Sequence, residues 1–202
     1  MVRSMKQLFF NFHLLETMSS LTLFAQRKIT NARQPSETIC LKDLWNDKPC
    51  ALFFLRRLGC PICRSYIQMV ETVRKEYEDL GFRLVCLSFE ALGEGSDSDN
   101  SFTKYKFWNG PLYTIDKIVY QELFGRKGLL DNFFGLFDID KEAYERSKNT
   151  PGNLKGDGFQ LGGQFVVYKG KIYFEHRQKL FGDDAKLVDL FKALEHSKKA
   201  SK

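Results

Sequence analysis

The sequence predicts an α/β domain in which helices flank a central sheet, and two patterns lead to this fold class. The first is the apolar segment Cys50–Leu55, followed by apolar residues at three- and four-residue steps through 62–80 and by a second apolar segment, Phe82–Ser88. A strand, a helix and a strand in this order make the two strands parallel and their crossover right-handed. The second pattern is a hairpin, because Gln164–Tyr168 and Lys171–His176 alternate on either side of a two-residue turn. A chain of 202 residues is long enough for one such domain with its own core.

Shorter elements precede the first buried strand. The mixed apolar and polar segment Leu21–Lys28 predicts an edge strand, and Gln34–Glu37 has the proline and polar residues of a turn. Thr38–Leu41 predicts a short strand. Leu41–Trp45 predicts one helical turn ahead of a proline. The segment that follows, Cys50–Leu55, is apolar at nearly every position, as expected of a central strand that is covered on both faces.

The region after the second parallel strand alternates loops with short elements. Gly93–Ser101 is rich in glycine, serine and aspartate, which predicts a mobile surface loop. Phe102–Trp108 predicts a helical segment, Leu112–Ile115 a strand, and Lys117–Phe124 an amphipathic helix. The apolar stretch 129–137 and the charged residues after it predict an inserted helical segment. Its phenylalanines either pack on the sheet or form the wall of a hydrophobic substrate groove.

The last part of the chain contains a loop, the hairpin and a final helix. The glycine-rich loop 151–158 matches neither a dinucleotide fingerprint nor a P-loop, because its glycine spacing differs and a hairpin follows it. His176, on the hairpin, is interpreted as a structural or surface residue in preference to a general base. Asp183 is predicted to cap a final helix whose apolar face starts at Leu187 and ends at Leu194.

The stretch Leu55–Arg64 carries the predicted chemistry: a strand end, a tight turn and two thiols on the first turn of a helix. A thiol at a helix N-terminus faces unpaired N–H groups and the positive end of the helix dipole, and both favour the thiolate. Cys60 is therefore the predicted nucleophile. Pro61 suits the first helical position, where its missing N–H costs nothing. Cys63 lies within one turn on the same face, where it can attack a mixed disulfide or a sulfenic acid formed at Cys60.

Four charged residues are candidates to support this pair. Arg56, Arg57 and Arg64 add positive charge nearby, and the sequence does not decide which of them points at the sulfur. Glu90 ends the next strand. Its carboxylate either pairs with Arg56 or Arg57 or stays solvated at the strand end, and the second role is favoured at least as much as the first.

Two other roles for the cysteine pair compete with redox chemistry. Half of a zinc site needs a second ligand pair, and the other cysteines and histidines provide none at zinc spacing. Small buried apolar residues are a common role for free cysteine. The strand, turn and helix setting together with the arginines favours redox chemistry, and no metal is predicted.

Composition narrows the class of partner and the compartment. The formal charge of +6 comes mainly from basic residues near the two ends of the chain, so nucleic acid is not an expected partner. The five cysteines are odd in number and irregularly spaced, which favours reduced thiols over a disulfide framework. We therefore expect a reducing compartment, and a cytoplasmic location in particular. No apolar run is long enough for a transmembrane helix.

The ends of the chain are predicted to lie outside the domain. Residues 1–17 are interpreted as an extension without ordered structure, with Met18 as an alternative start. A mitochondrial presequence remains as a weaker alternative, since this segment has no acid before Glu16. The domain is predicted to cover residues 18–197, and 198–202 form a basic tail.

Several motifs resemble a known family. The block from Arg56 to Arg64, Arg-Arg-Leu-Gly-Cys-Pro-Ile-Cys-Arg, is similar to the Arg-Arg-x-Gly-Cys-x-x-Cys-Arg signature of peroxiredoxin-like proteins that include prostamide/prostaglandin F synthase. Glu90–Gly93 resembles the Glu-Ala-Leu-Gly of the synthase branch, and 152–157 with 161–163 resemble the later glycine loop and strand entry. Segment 175–183 is closer to a sister branch described as redox-regulatory. The resemblance covers nearly the whole domain and implies a thioredoxin-like, peroxiredoxin-like fold.

What the resemblance implies about activity is reductive cleavage of a lipid endoperoxide, prostaglandin H2 or prostamide H2, to F-type products. The Cys60 thiolate would attack one oxygen of the O–O bond, and Cys63 would resolve the sulfenic ester to a disulfide. The arginines would neutralise charge on the alkoxide. The implied electron donor is NADPH, acting directly or through a thioredoxin-type system, and no tightly bound cofactor is implied.

Two positions depart from true peroxiredoxins and thioredoxins. Arg57 stands three residues before Cys60, where peroxiredoxins have a threonine that binds peroxide. Gly162 and Gly163 stand where thioredoxin has a proline. Both departures count against hydrogen peroxide turnover and against disulfide reduction of protein partners. A general antioxidant that acts on organic hydroperoxides and a redox-regulatory protein remain as alternatives.

Overall fold

The computed structural model of the protein describes residues 20–127 and 139–200. Four predicted features therefore lie wholly or partly outside the described residues: the extension 1–17, the alternative start at Met18, the apolar stretch 129–137 and the end of the basic tail.

The described residues form helices and strands that alternate along the chain. The helices are α1 (Ser20–Leu23), α2 (Pro61–Asp79), α3 (Ser101–Lys104), α4 (Lys117–Phe124), α5 (Lys141–Ser147) and α6 (Leu187–Lys199), with 3₁₀ helices at Leu41–Leu44 and Gly95–Asp97. The strands are β1 (Lys28–Asn31), β2 (Thr38–Cys40), β3 (Cys50–Phe54), β4 (Arg83–Ser88), β5 (Leu112–Thr114), β6 (Gly163–Tyr168) and β7 (Lys171–Arg177).

Within the described residues the strands form one mixed sheet in the order β2-β1-β5-β4-β3-β6-β7. Strands β3 and β4 are parallel and pair from Cys50 with Arg83 to Phe54 with Leu87, which confirms the predicted strand, helix and strand unit. Strands β6 and β7 form the predicted antiparallel hairpin, and β6 also pairs with β3. Because α2 follows β3, its first turn lies beyond the carboxyl end of a central strand, where ligands bind in sheets of this kind.

Strand β3 is buried on both faces, which explains its unbroken apolar sequence. Leu52 and Phe54 pack in a core layer with Tyr120 of α4, whereas Ala51 and Phe53 pack in a second layer with residues of α2 and α6. Successive side chains of a strand point to opposite faces, so a strand between two helical layers needs an apolar residue at every position.

Two predicted elements have different bounds in the structure. The predicted edge strand at Leu21–Lys28 is wrong, because α1 occupies its start and β1 begins only at Lys28. Leu21 and Phe24 are both buried, and their three-residue spacing suits a helical turn. The predicted helix Phe102–Trp108 ends at Lys104, because Lys106 has the left-handed backbone conformation, with φ of 51°.

The predicted cap of the final helix is also wrong. The residue before α6 is Lys186, and Asp183 lies further back in the turn. The Asp183 side chain accepts a hydrogen bond from the backbone N–H of Lys179, and its carboxylate lies 3.1 Å from His176 Nε2. His176 therefore stabilises the turn after the hairpin, in agreement with a structural role.

No helix in the described ranges is both long and apolar enough to span a bilayer.

Candidate active site

The predicted nucleophile lies where the sequence places it, at the start of α2. Cys60 is the residue before the helix and has an extended backbone, with φ of −75° and ψ of 119°, and Pro61 is the first helical residue. Cys60 is 3 % exposed and Cys63 is 6 % exposed, so both thiols are nearly buried. All five cysteines are free.

The two thiols differ strongly in acidity. The pKa of Cys60 is well below its usual range, chiefly because the Cys63 thiol donates a hydrogen bond to the Cys60 sulfur. Burial alone would raise this pKa, and the positive charge of Arg56 offsets part of that rise. The pKa of Cys63 is well above its usual range, because the Cys63 thiol donates its proton in the hydrogen bond to Cys60 and because burial disfavours a second thiolate. The pair therefore combines a thiolate nucleophile with a protonated resolving thiol.

Arg56 is the arginine that points at the sulfur. Its Nη1 lies 3.5 Å from Cys60 Sγ. The other two nitrogens donate to backbone carbonyls, Nε to Gln160 at 3.0 Å and Nη2 to Gly158 at 2.9 Å. The guanidinium also lies over the Phe181 ring, 4.1 Å from its centroid. These contacts hold the positive charge beside the thiolate.

Arg64 has a structural role instead. It is 1 % exposed, and its nitrogens donate to the carbonyls of Leu58 at 2.6 Å and Pro151 at 2.7 Å and to the Ser101 hydroxyl. Its Nη2 also lies 3.7 Å from the buried carboxylate of Asp97. Arg64 thus connects three loops around the active site.

Arg57 is buried as well but keeps donors unused. Its Nη1 donates to the Lys155 carbonyl. Its Nε has no acceptor among the residues that the structure describes.

Glu90 neither pairs with Arg56 or Arg57 nor stays solvated, so both expectations from the sequence are wrong. Its carboxylate accepts hydrogen bonds from the Leu58 N–H at 3.0 Å and from the N–H and hydroxyl of Ser96. Burial explains the difference, because the carboxylate is covered by the loop 93–101 and satisfied by donors of that loop and of the turn before Cys60. Glu90 thus shapes the turn that carries the nucleophile.

The predicted surface loop Gly93–Ser101 is partly wrong, because Ser96 and Asp97 are fully buried. The Ser96 hydroxyl accepts a hydrogen bond from the Gly59 N–H at 2.7 Å. A Cβ atom on Gly59 would lie 2.4 Å from the Ser96 carbonyl oxygen, so the loop packs too closely for any other residue there. Sequence reasoning missed Ser96 because its polar composition indicated exposure.

A cavity of about 660 Å³ opens beside Cys60. Three of its described lining residues, Arg56, Arg57 and Lys148, are cationic, and none is acidic. Most of the remaining wall is apolar and includes Pro61, Ile62, Ile139, Tyr144, Leu154, Phe159 and Phe181. The thiolate therefore faces a space suited to a largely apolar molecule.

One buried acid near the thiols was not predicted. Asp184 accepts hydrogen bonds from Gln178 at 2.8 Å and Gln164 at 3.3 Å, and it lies 3.2 Å from Arg146. Burial raises its pKa to about 7 despite Arg146, and the charge of Cys60 adds to the effect. No local motif marks Asp184, because Gln164 and Arg146 come from other parts of the chain.

Among the residues that the structure describes, no three His, Cys, Asp or Glu side chains gather in a way that could hold a metal ion.

Comparison with known proteins places the chain in a family. The model of the family described as AhpC/TSA antioxidant enzyme matches residues 69–180, more than half of the chain, starting after the thiol pair. The chain belongs to this peroxiredoxin-like family. It is therefore a peroxiredoxin-like thiol oxidoreductase.

Curated relatives of this oxidoreductase carry two names. Prostamide/prostaglandin F synthase of Bos taurus is 32% identical over 165 residues, which cover 78% of this chain and 80% of the relative. Peroxiredoxin-like 2A of Xenopus tropicalis is 30% identical over 158 residues, which cover 75% of this chain and 66% of the relative. The chain thus spans slightly less than two thirds of the second relative.

Solved structures agree with the predicted fold. Enterococcus faecalis AhpC has a TM-score of 0.53 and 14% identity, with 87% of this chain and 88% of the other covered. A mutant of Xylella fastidiosa PrxQ has a TM-score of 0.51 and 13% identity, with 89% and 92% covered. These likenesses confirm the thioredoxin-like, peroxiredoxin-like α/β fold.

Proposed function

We propose that this protein reduces lipid endoperoxides, of the prostaglandin H2 and prostamide H2 type, through the dithiol of Cys60 and Cys63. The observation that carries the proposal is a buried thiolate at a helix start that opens onto a large apolar cavity. Relatives that are 30% and 32% identical to this chain carry the name prostamide/prostaglandin F synthase, which supports the same substrate class.

The reaction takes two steps. The Cys60 thiolate attacks one oxygen of the O–O bond, so that an S–O bond forms, the O–O bond breaks and the second oxygen leaves as an alkoxide, which takes a proton from water. Cys63 then attacks the Cys60 sulfur, so that the disulfide forms and the S–O bond breaks. The remaining alkoxide takes the proton that Cys63 gives up. The endoperoxide gains two electrons and two protons and becomes a diol.

The cavity suits such a molecule in size and polarity. Sites for ligands of this size usually have volumes of roughly 300–1,000 Å³ and mostly apolar walls with a few placed polar groups. The cavity beside Cys60 has about 660 Å³ and combines apolar side chains with Arg56 and Arg57 of the motif. Hydrogen peroxide would need no such apolar space.

The resulting disulfide needs an electron donor for each further turnover. We assign this role to NADPH acting through a thioredoxin-type dithiol protein, because the sequence has no dinucleotide fingerprint. Five free cysteines are consistent with a reducing compartment such as the cytoplasm, which is the location we propose.

A second candidate function is reduction of organic hydroperoxides in general. The matching family is described as antioxidant enzymes, and one group of relatives is named Peroxiredoxin-like 2A. The same thiolate and cavity would accept a smaller hydroperoxide.

A single-turnover reaction separates the two functions. Fully reduced protein is mixed with about one equivalent of prostaglandin H2, and F-type product and free thiols are measured. We expect stoichiometric product together with the loss of two thiols. The same protein is then tested with tert-butyl hydroperoxide.

Cysteine variants provide the controls. Cys60→Ser should abolish both product and thiol loss, and Cys63→Ser should stop at a single sulfenic ester. Cys40→Ser is the matched control, because Cys40 is a half-buried thiol on β2, away from the cavity, and should behave as wild type. Thiol loss to the hydroperoxide without F-type product from prostaglandin H2 would reject the endoperoxide proposal in favour of the second candidate.

A further inference from the structure

The aromatic ring of Phe181 lies against the guanidinium of Arg56. The central carbon of the guanidinium is over the ring, 4.1 Å from its centroid. A cation in this position is attracted by the negative face of the π system, and the attraction is larger where both groups are removed from water. Arg56 is 4 % exposed, so this contact lies in the protected part of the site.

The hydrogen bonds of Arg56 leave the two faces of its guanidinium to packing contacts. The group is planar, and its N–H bonds lie in that plane. Its three nitrogens donate to the Gln160 carbonyl, the Cys60 sulfur and the Gly158 carbonyl. These bonds fix the edges of the plane, whereas movement out of the plane is limited by what packs on a face. The Phe181 ring provides that packing.

The turn that carries Phe181 is itself fixed by neighbouring helices. The Phe181 carbonyl accepts a hydrogen bond at 2.9 Å from the N–H of Asp140, the residue before α5. Gly182 follows with φ of 88°, and a Cβ atom there would lie 2.5 Å from the Ala143 side chain and 3.2 Å from that of Ile62. The turn thus packs closely on α5 and on the first turn of α2, and these contacts set the position of the ring.

The ring also keeps water from the cation. Phe181 and Arg56 both line the cavity beside Cys60, where an open guanidinium face would be hydrated. The attraction between a guanidinium and a thiolate weakens as the effective dielectric constant around them rises. An apolar ring against the guanidinium therefore strengthens the effect of its charge on the sulfur.

We propose that Phe181 is a positioning residue, whose ring holds the Arg56 guanidinium against the Cys60 sulfur and shields the pair from water. This inference rests on the Cys60 thiolate of the proposed function, whichever peroxide is the substrate. Phe181 acts on the sulfur through Arg56. Without the ring, Arg56 keeps its charge but is less well placed and more hydrated, so the thiolate fraction of Cys60 falls.

The test measures the rate of iodoacetamide alkylation of Cys60 over a series of pH values, with the modified peptide identified by mass spectrometry. Phe181→Leu removes the ring and retains apolar volume, whereas Phe181→Tyr retains the ring. Phe82→Leu is the matched control, because Phe82 also has a cation over its ring, Lys198 at 5.2 Å. Phe82 directly precedes β4, so it lies at the amino end of the parallel strands, opposite the site.

We expect Phe181→Leu to move the alkylation profile to higher pH. The thiolate fraction should fall about 3- to 10-fold at a pH below the midpoints of both proteins, the range that one buried contact between a cation and a ring supplies. The fall should be smaller than in Arg56→Met, because the charge remains. Phe181→Tyr should restore the wild-type profile, and Phe82→Leu should leave it unchanged.

A double variant decides whether the ring acts through Arg56. In Arg56→Met/Phe181→Leu the ring has no cation left to position, so this protein should have the profile of Arg56→Met alone. A further shift in the double variant, as large as that of Phe181→Leu in the wild-type background, would show that Phe181 acts on the sulfur by another route and would reject the inference.

The remaining outcomes separate this inference from the proposed function. A wild-type profile with the midpoint of an ordinary thiol would reject the thiolate of the proposed function, and the inference with it. A low wild-type midpoint that Phe181→Leu leaves unchanged would reject the inference alone, as would equal shifts in Phe181→Leu and Phe82→Leu. The expected profiles beside a failed single-turnover reaction with prostaglandin H2 would reject the endoperoxide proposal and support the inference.

Discussion

Replacing Arg56 with methionine tests whether this arginine stabilises the Cys60 thiolate. The guanidinium Nη1 lies 3.5 Å from the sulfur, and the side chain is only 4 % exposed. Methionine retains an apolar stem that can pack against Phe181 but has neither charge nor N–H donors. The positive charge of Arg56 helps to lower the pKa of Cys60, so its loss should raise that pKa.

The magnitude follows from the geometry. A hydrogen bond to a charged group is worth about 1.5–3 kcal/mol in proteins. Because each 1.4 kcal/mol corresponds to about tenfold in an equilibrium, the thiolate fraction should fall about 10- to 100-fold at a pH below the pKa of both forms. At a pH above both pKa values the thiol is fully ionised in each protein, so the difference should disappear.

The assay is the rate of iodoacetamide alkylation of Cys60 as a function of pH, supported by the ultraviolet absorbance of the thiolate. Two carbonyls, those of Gly158 and Gln160, lose their donor in the variant, so its unfolding is measured alongside. Arg74→Met is the matched control. It also replaces an arginine with methionine, but Arg74 lies on α2 and pairs with Glu71 and Glu78. Overlapping pH profiles for Arg56→Met and wild type would refute the assignment, as would an equal shift in the Arg74 control.

Three further outcomes test the supporting residues. Arg64→Met should lower the free energy of unfolding by about 3–5 kcal/mol, because it leaves the buried Asp97 carboxylate without its cation, and a denaturation midpoint equal to wild type would contradict this. The pKa of Asp184 is about 7 when folded against a usual 3.8, so the folded state holds a proton that the unfolded state releases, and Asp184 lowers stability as pH rises between these values. Asp184→Asn should therefore gain stability over wild type across that range, and unfolding measured at a series of pH values should show no such divergence if Asp184 titrates normally. Ser96→Ala should cost about 1–3 kcal/mol, because the buried Gly59 N–H loses its acceptor; thermal and denaturant unfolding measure the loss, and a neutral result would show that the loop rearranges.

Local patterns predicted most of the elements that carry the chemistry. The helix at α2 follows from apolar residues at three- and four-residue steps, and β3 and β4 follow from short apolar runs before and after it. Cys60 and Pro61 mark the helix start because the orphan N–H groups there suit a thiolate and a proline. These signals lie within a few residues of each other, so the sequence displays them directly.

Errors arose where a distant segment decides the environment. The loop 93–101 looks exposed by composition, yet Ser96 and Asp97 are buried because Gly59 and Arg64 supply their partners. Glu90 was expected to pair with an arginine or to stay solvated, and instead it accepts hydrogen bonds from Leu58 and the loop. In each case a buried polar group forms hydrogen bonds with residues that the tertiary fold places beside it, and the local composition does not identify those residues.

Local sequence patterns alone predict the α/β class, the parallel strand pair and the position of the thiol pair at a helix start. Only the folded chain fixes how the three neighbouring arginines divide their contacts, since Arg56 reaches the sulfur, Arg64 reaches the loops and Arg57 donates to the Lys155 carbonyl. Periodicity and helix-end chemistry act over a few residues, whereas the direction of a long buried side chain depends on where carbonyls and rings from distant segments arrive.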